Sequence, residues 1–143
     1  MTSSTDYKAL TREISSNVSE LRNSVPQVMQ GFNALGKAAL AGGAIDAKTK
    51  ELIALGIGVA ARCDGCIGFH TQALARLGAT RAEVHEVLGI AVYMGGGPAL
   101  MYAANAVAAF DECAPAQAPA ATAWFTIEDI AASACPASAG GRF

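Results

Sequence analysis

The stretch AKTKELIALGIGVAARC, residues 47–63, is apolar almost all round after Glu51. A helix with no polar face must lie at the centre of a packed core, because no side of it can face water cheaply. Everything else in the chain has to be arranged around that segment. The surrounding sequence supplies suitable partners, since almost all of it up to residue 112 carries apolar residues at helical spacing. Strand signals are missing: there is no sustained alternation, there are few β-branched runs, and no Asn-Gly or Asp-Gly marks a hairpin turn. The expected fold class is therefore all-α, a bundle of about six helices.

The segment from about Thr5 to Arg22 sets Leu10, Ile14, Val18 and Leu21 on one helical face. Pro26, tolerated in a first turn, opens a second helix through Val28, Met29, Phe32, Leu35, Ala39 and Leu40. AGGAID ends it, and Asp46 can cap the third by accepting orphan N–H bonds. A fourth helix runs from the cysteines to Gly78, which suits the residue after a helix end. Thr80 with Glu83 forms a capping-box pattern for a fifth, whose Val84, Val87, Leu88 and Ala91 point inward. YMGGGPALMYA breaks that helix, and Pro98 starts a sixth through Leu100, Met101, Asn105 and Phe110. Residues 1–112 thus read as one helical domain. Residues 113–143 form a tail, with the Pro/Ala-rich APAQAPAATAW as linker and FTIEDIAAS as one short helix.

Composition narrows the setting. Hydrophobic residues are 52% of the chain and charged residues 15%, too thin a polar cover for a monomer of 143 residues, so subunit packing is expected. The net charge of −2 and the lack of any Lys/Arg run argue against nucleic acid. MTSSTDYKAL has neither the basic flank nor the apolar centre of a signal peptide. AALAGGAI and ELIALGIGVAA are too short or too glycine-rich to span a bilayer. The expectation is a cytoplasmic protein without membrane contact, in a compartment where paired cysteines are more often catalytic or metal-binding than structural.

Chemistry concentrates in AARCDGCIGFH, residues 60–70. Gly65 permits a tight entry into a helix, which places Cys66 in the first turn beside unpaired N–H groups and the positive end of the dipole. Such surroundings, with a partner thiol three residues away, lower a cysteine pKa from about 8.5 into the range of roughly 3.5–7.5. His70 lies four residues on, about 40° round the same face, where it can accept the thiol proton and hold the thiolate as an ion pair. Three-residue spacing also brings Cys63 and Cys66 within reach for a two-step cycle of sulfenic acid and disulfide.

Taken with its upstream glutamate, this stretch resembles a known family. ELIALGIGVAARCDGCIGFHTQALARLGAT is similar to the core signature of alkylhydroperoxidase D-like proteins in the carboxymuconolactone decarboxylase family: a glutamate, eleven residues, then Cys-x-x-Cys-x-x-x-His. Glu51, Cys63, Cys66 and His70 occupy its four positions, and GGGPALMYAANAVAAF resembles the glycine-proline entry to the family's later helix. The likeness covers about residues 26–112. It implies an all-helical homotrimer or homohexamer, with Cys66 as peroxidatic thiol, Cys63 as resolving thiol, and His70 and Glu51 as a proton relay. It also implies a hydroperoxide substrate and a dithiol reductant, a dihydrolipoyl protein or a thioredoxin-like donor, with no cofactor or metal. Better-known peroxidase members carry a histidine directly before the second cysteine; here that place is Gly65.

Other readings of the same residues stand beside this one. A structural zinc site would lack a ligand, since two cysteines and one histidine have no further spaced partner. Glu51 could instead be a boundary carboxylate paired with Lys48 or Lys50. His85 reads as a surface residue, Cys113 and Cys135 as spectators, and Tyr93, Met94, Met101 and Tyr102 as core or interface. By function, a thiol-dependent peroxidase leads. A disulfide reductase could use the same couple, and a carboxymuconolactone decarboxylase-like lyase would not depend on the paired cysteines. A non-catalytic interaction protein is the plainest option.

Overall fold

A computed structural model of the chain describes residues 5–114, so the tail, with its expected linker, short helix and Cys135, lies outside the described residues. Three of the five helices begin where a side-chain oxygen accepts from the first free N–H groups. Asp6 accepts from the Ala9 N–H at 2.8 Å and starts α1, Tyr7–Ser24. Pro26 opens α2, Pro26–Leu40. Asp46 accepts from the Thr49 N–H at 2.9 Å at the head of α3, Ala47–Ala60. Cys63 precedes α4, Asp64–Arg76. Thr80 and Glu83 close the expected capping box at the start of α5, Arg81–Cys113. Gly78, at φ 72°, ends α4 in the left-handed conformation anticipated for it.

The fifth and sixth helices of the sequence reading are two arms of α5, joined through a kink. Gly96 stands there at φ 68° and ψ −158°, a conformation open in practice only to glycine, and Pro98 follows it. With α5 counted as one bent element, five helices span the described residues, its two arms being the expected fifth and sixth, and no strand occurs among them. Joined in this way, α5 is long and apolar enough to cross a membrane by length and composition, which neither arm suggested alone.

The central helix is α3, which packs against both α4 and α5. Its Leu55 and Val59 are fully buried with Ile67 and Leu74 of α4 and Val84, Leu88 and Phe110 of α5. The second arm of α5 enters this core through small residues, with Ala99, Ala103 and Ala106 one or two turns apart on the inner face. Leu100 and Met101 point outward.

Two expectations need correction. The all-round burial of α3 holds on one side only. Ile53 and Ile57 are exposed and, with Gly56, Val87, Ile90 and Met94, line an apolar groove of about 280 Å³. On α1 the residues fully packed are Tyr7 and Thr11, whereas Leu10, Ile14 and Val18 are half-buried and Leu21 is exposed. The cause is α4, whose glycines let α1 approach at Tyr7 and Thr11. On α2 only Met29 is buried, and Val28, Phe32 and Leu35 are each about two-thirds exposed (66–67%), so a whole apolar helix face lacks a cover within one chain.

Candidate active site

The end of α3 and the start of α4 build the site between them. At the end of α3, Arg62 takes a left-handed turn at φ 59°, a position more often filled by glycine. Its N–H donates to the Val59 carbonyl at 3.1 Å, and the Cys63 N–H donates to the Gly58 carbonyl at 3.0 Å. This turn reverses the chain so that Cys63 sits at the head of α4, where its sulfur accepts the Cys66 N–H at 3.1 Å. Cys63 and Cys66 are joined as a disulfide, with Cα atoms 5.2 Å apart. Gly58 faces them from α3: a Cβ there would lie 3.0 Å from the Cys66 Cβ, so the bare backbone lets the two helices approach without displacing Cys66.

One turn beyond Cys66, His70 reaches back to α3. Its Nδ1 lies 2.6 Å from Oε2 of Glu51. The glutamate is buried and the imidazole partly accessible, with side-chain exposures of 11% and 26%. A carboxylate in that position needs a partner, and His70 supplies it. Lys48 and Lys50 do not: Lys48 pairs with Glu83 at 2.7 Å, and Lys50 donates to the Ala39 and Ala41 carbonyls. With Nδ1 engaged, Nε2 of His70 is the ring nitrogen left to exchange a proton on the Cys66 face of α4. The four residues singled out from the sequence are thus gathered as two bonded pairs, linked by one turn of helix. Among the described residues, no three His, Cys, Asp or Glu side chains converge where a metal could sit.

Comparison with known proteins places this arrangement in context. Residues 26–109 match the carboxymuconolactone decarboxylase family. The chain belongs to that family. A carboxymuconolactone decarboxylase family protein of Legionella pneumophila, solved in its apo form, is 51% identical, with a TM-score of 0.75 over 76% of this chain and 97% of that one. A Thermotoga maritima member is 31% identical, with a TM-score of 0.62 over 70% and 88% of the two chains. An uncharacterized protein of Cupriavidus necator shares 43% identity over 107 residues, 75% of this chain and 95% of its own length.

Beside the family motif, the structure adds residues that the sequence reading passed over. Tyr7 of α1 donates its hydroxyl to Oδ1 of Asp64, between the two cysteines, at 2.8 Å. Burial first, and then this bond, push the Tyr7 hydroxyl well above the usual tyrosine range, so it stays protonated. Ile14 lies against Gly65, where a Cβ would come within 3.1 Å of its Cδ1. The place of the imidazole found in better-known peroxidase members of the carboxymuconolactone decarboxylase family is therefore next to apolar cover from α1. No local motif could have revealed these contacts, because the partners are 51 to 57 positions apart in sequence. Folding also gathers Lys8, Arg12 and Arg76 around an open groove with Cys113 and Gln72, although the sequence has no basic run. Burial raises the Cys113 thiol's pKa despite the nearby Lys8 and Arg76 charges.

Proposed function

We propose that the chain is a thiol-dependent peroxidase that reduces hydrogen peroxide or organic hydroperoxides through Cys63 and Cys66. The observation that carries this reading is the Glu51–His70 pair, bonded at 2.6 Å and set one helical turn from a cysteine couple already closed as a disulfide. In the dithiol form, His70 takes the Cys66 proton and Glu51 balances the resulting imidazolium. The Cys66 thiolate attacks the terminal, hydroxyl-bearing oxygen of the peroxide. The O–O bond breaks, the departing alkoxide or hydroxide leaves protonated as alcohol or water, and Cys66 becomes a sulfenic acid. Cys63 then attacks the Cys66 sulfur, expelling water and closing the disulfide. An external dithiol reopens it and carries away the oxidation as its own disulfide. A role in antioxidative response has been suggested for the Thermotoga maritima relative, which is consistent with this chemistry.

The working unit in this proposal is a homo-oligomer in a reducing cytoplasm. A second copy covers the apolar faces that α2, α3 and α5 leave open, including Phe32, Ile57 and Met94. The decarboxylase chemistry that names the family has no use for a paired-cysteine couple, so the pair favours peroxide reduction. Peptide mass spectrometry of the reduced protein after peroxide tests the proposal. Rapid, stoichiometric formation of the Cys63–Cys66 bridge supports it, and free thiols persisting at both positions would overturn it.

A further inference from the structure

α1 lies outside the segment that matches the family, yet it forms one wall of the cysteine site. Three contacts fix it there. The Tyr7 hydroxyl donates to Asp64 at 2.8 Å, Thr11 lies against Gly68, and Ile14 lies against Gly65. Tyr7 is almost completely buried, at 1% exposure, so its hydroxyl has no bulk water to turn to. Glu112 of α5 anchors the same turn of α1 by accepting the N–H groups of Tyr7 and Lys8, at 3.3 and 3.2 Å. Tyr7 is thus held at its backbone by Glu112 and at its hydroxyl by Asp64. Its acceptor is the residue that directly follows Cys63 and opens α4.

A carboxylate at that place acts on the couple in a definite direction. Reduction turns the disulfide into two thiols, and the proposed chemistry requires one of these to ionise. A neighbouring carboxylate opposes that charge and so favours the disulfide. A hydrogen bond donated to the carboxylate draws part of its charge away from the sulfurs and weakens the opposition. We propose that Tyr7 is a positioning residue for the redox couple: through its bond to Asp64, α1 sets the balance between the dithiol and disulfide forms of Cys63 and Cys66. The inference rests on the couple being redox-active, as argued above, but not on peroxide being its oxidant.

The test is equilibration of the full-length protein in dithiothreitol buffers of graded reduction, with the fraction of bridged Cys63–Cys66 read by alkylation and mass spectrometry. Asp64→Asn removes the carboxylate and is expected to shift the equilibrium toward dithiol by roughly three- to tenfold. Tyr7→Phe leaves the carboxylate without its donor and is expected to shift it the opposite way, by a smaller factor. In the double variant, Tyr7→Phe should add nothing to the effect of Asp64→Asn, because its route to the sulfurs has gone. Circular dichroism of each variant separates this from loss of packing, which would move both single variants in the same direction. Equal constants for the wild type and both single variants, or an additive double variant, would overturn the inference. A couple that fails to bridge in any buffer would instead overturn the redox reading on which it rests.

Discussion

His70 can serve as a base only while its ring is held in one orientation, and the bond from Nδ1 to Glu51 provides that hold. In the proposed cycle the imidazole takes the Cys66 proton, and the carboxylate of Glu51 balances the cation it becomes. Replacing His70 by Ala removes that cation and is expected to raise the pH at which Cys66 becomes reactive by roughly one to three pH units. The rate of iodoacetamide modification against pH reads this directly, and an unchanged profile would dissociate the histidine from the thiol. The two cysteines differ in kind. Cys66→Ser should abolish reaction with peroxide, whereas Cys63→Ser should leave one oxidation that stops at a sulfenic acid on Cys66. A dimedone probe checks the assignment; labelling of Cys63 in the Cys66→Ser protein would reverse the roles. These residues are legible in the sequence because Cys63, Cys66 and His70 share one helix and its cap, and Glu51 sits on the helix before it. Tyr7 is not legible, since its bond to Asp64 spans 57 positions and a tyrosine in an amphipathic helix carries no motif.

Among the elements, α4 shows how far glycine placement governs the packing. A Cβ at Gly68 would come within 2.5 Å of the Thr11 Cγ2. Thr11 cannot rotate away freely, because its hydroxyl donates to the Tyr7 carbonyl at 2.9 Å and accepts from Gln72 at 2.7 Å. Gly68→Ala is therefore expected to destabilise the fold by about 1–3 kcal/mol through overpacking. A lower urea midpoint with an unchanged slope would bear this out. Gly96→Ala acts by another route: nothing crowds the position, but its backbone conformation is closed to side chains, and a cost of about 1–3 kcal/mol is expected from strain alone. Thermal unfolding checks it, and an unaltered midpoint would mean that α5 can straighten. The sequence marked both ends of α5 and the break within it: GGGP reads as a break, and Gly96 leaves helical geometry there. What it did not show is that the second arm packs Ala99, Ala103 and Ala106 onto the same core as the first.

For the whole molecule, the decisive property is the apolar surface left uncovered on α2, α3 and α5. Composition alone anticipated an excess of this kind, but not that it would gather on Ile53 and Ile57 of the central helix. Light scattering at micromolar concentration is expected to report a homo-oligomer, and Ile57→Asp should shift it toward monomer while helix content is kept. A monomeric wild type, or one that partitions into phospholipid vesicles, would contradict assembly as the cover. Removing residues 1–25 should lower stability and change the reactivity of the couple together, because the same helix that fills the space over Gly65 and Gly68 also holds Asp64. The family match begins at residue 26 and omits that helix. The unit that folds around the couple is thus wider than the family match. A side chain at position 65 would come within 3.1 Å of the Ile14 Cδ1, so a histidine there would need Ile14 to shift, and what position 65 can hold depends on a helix 51 positions away.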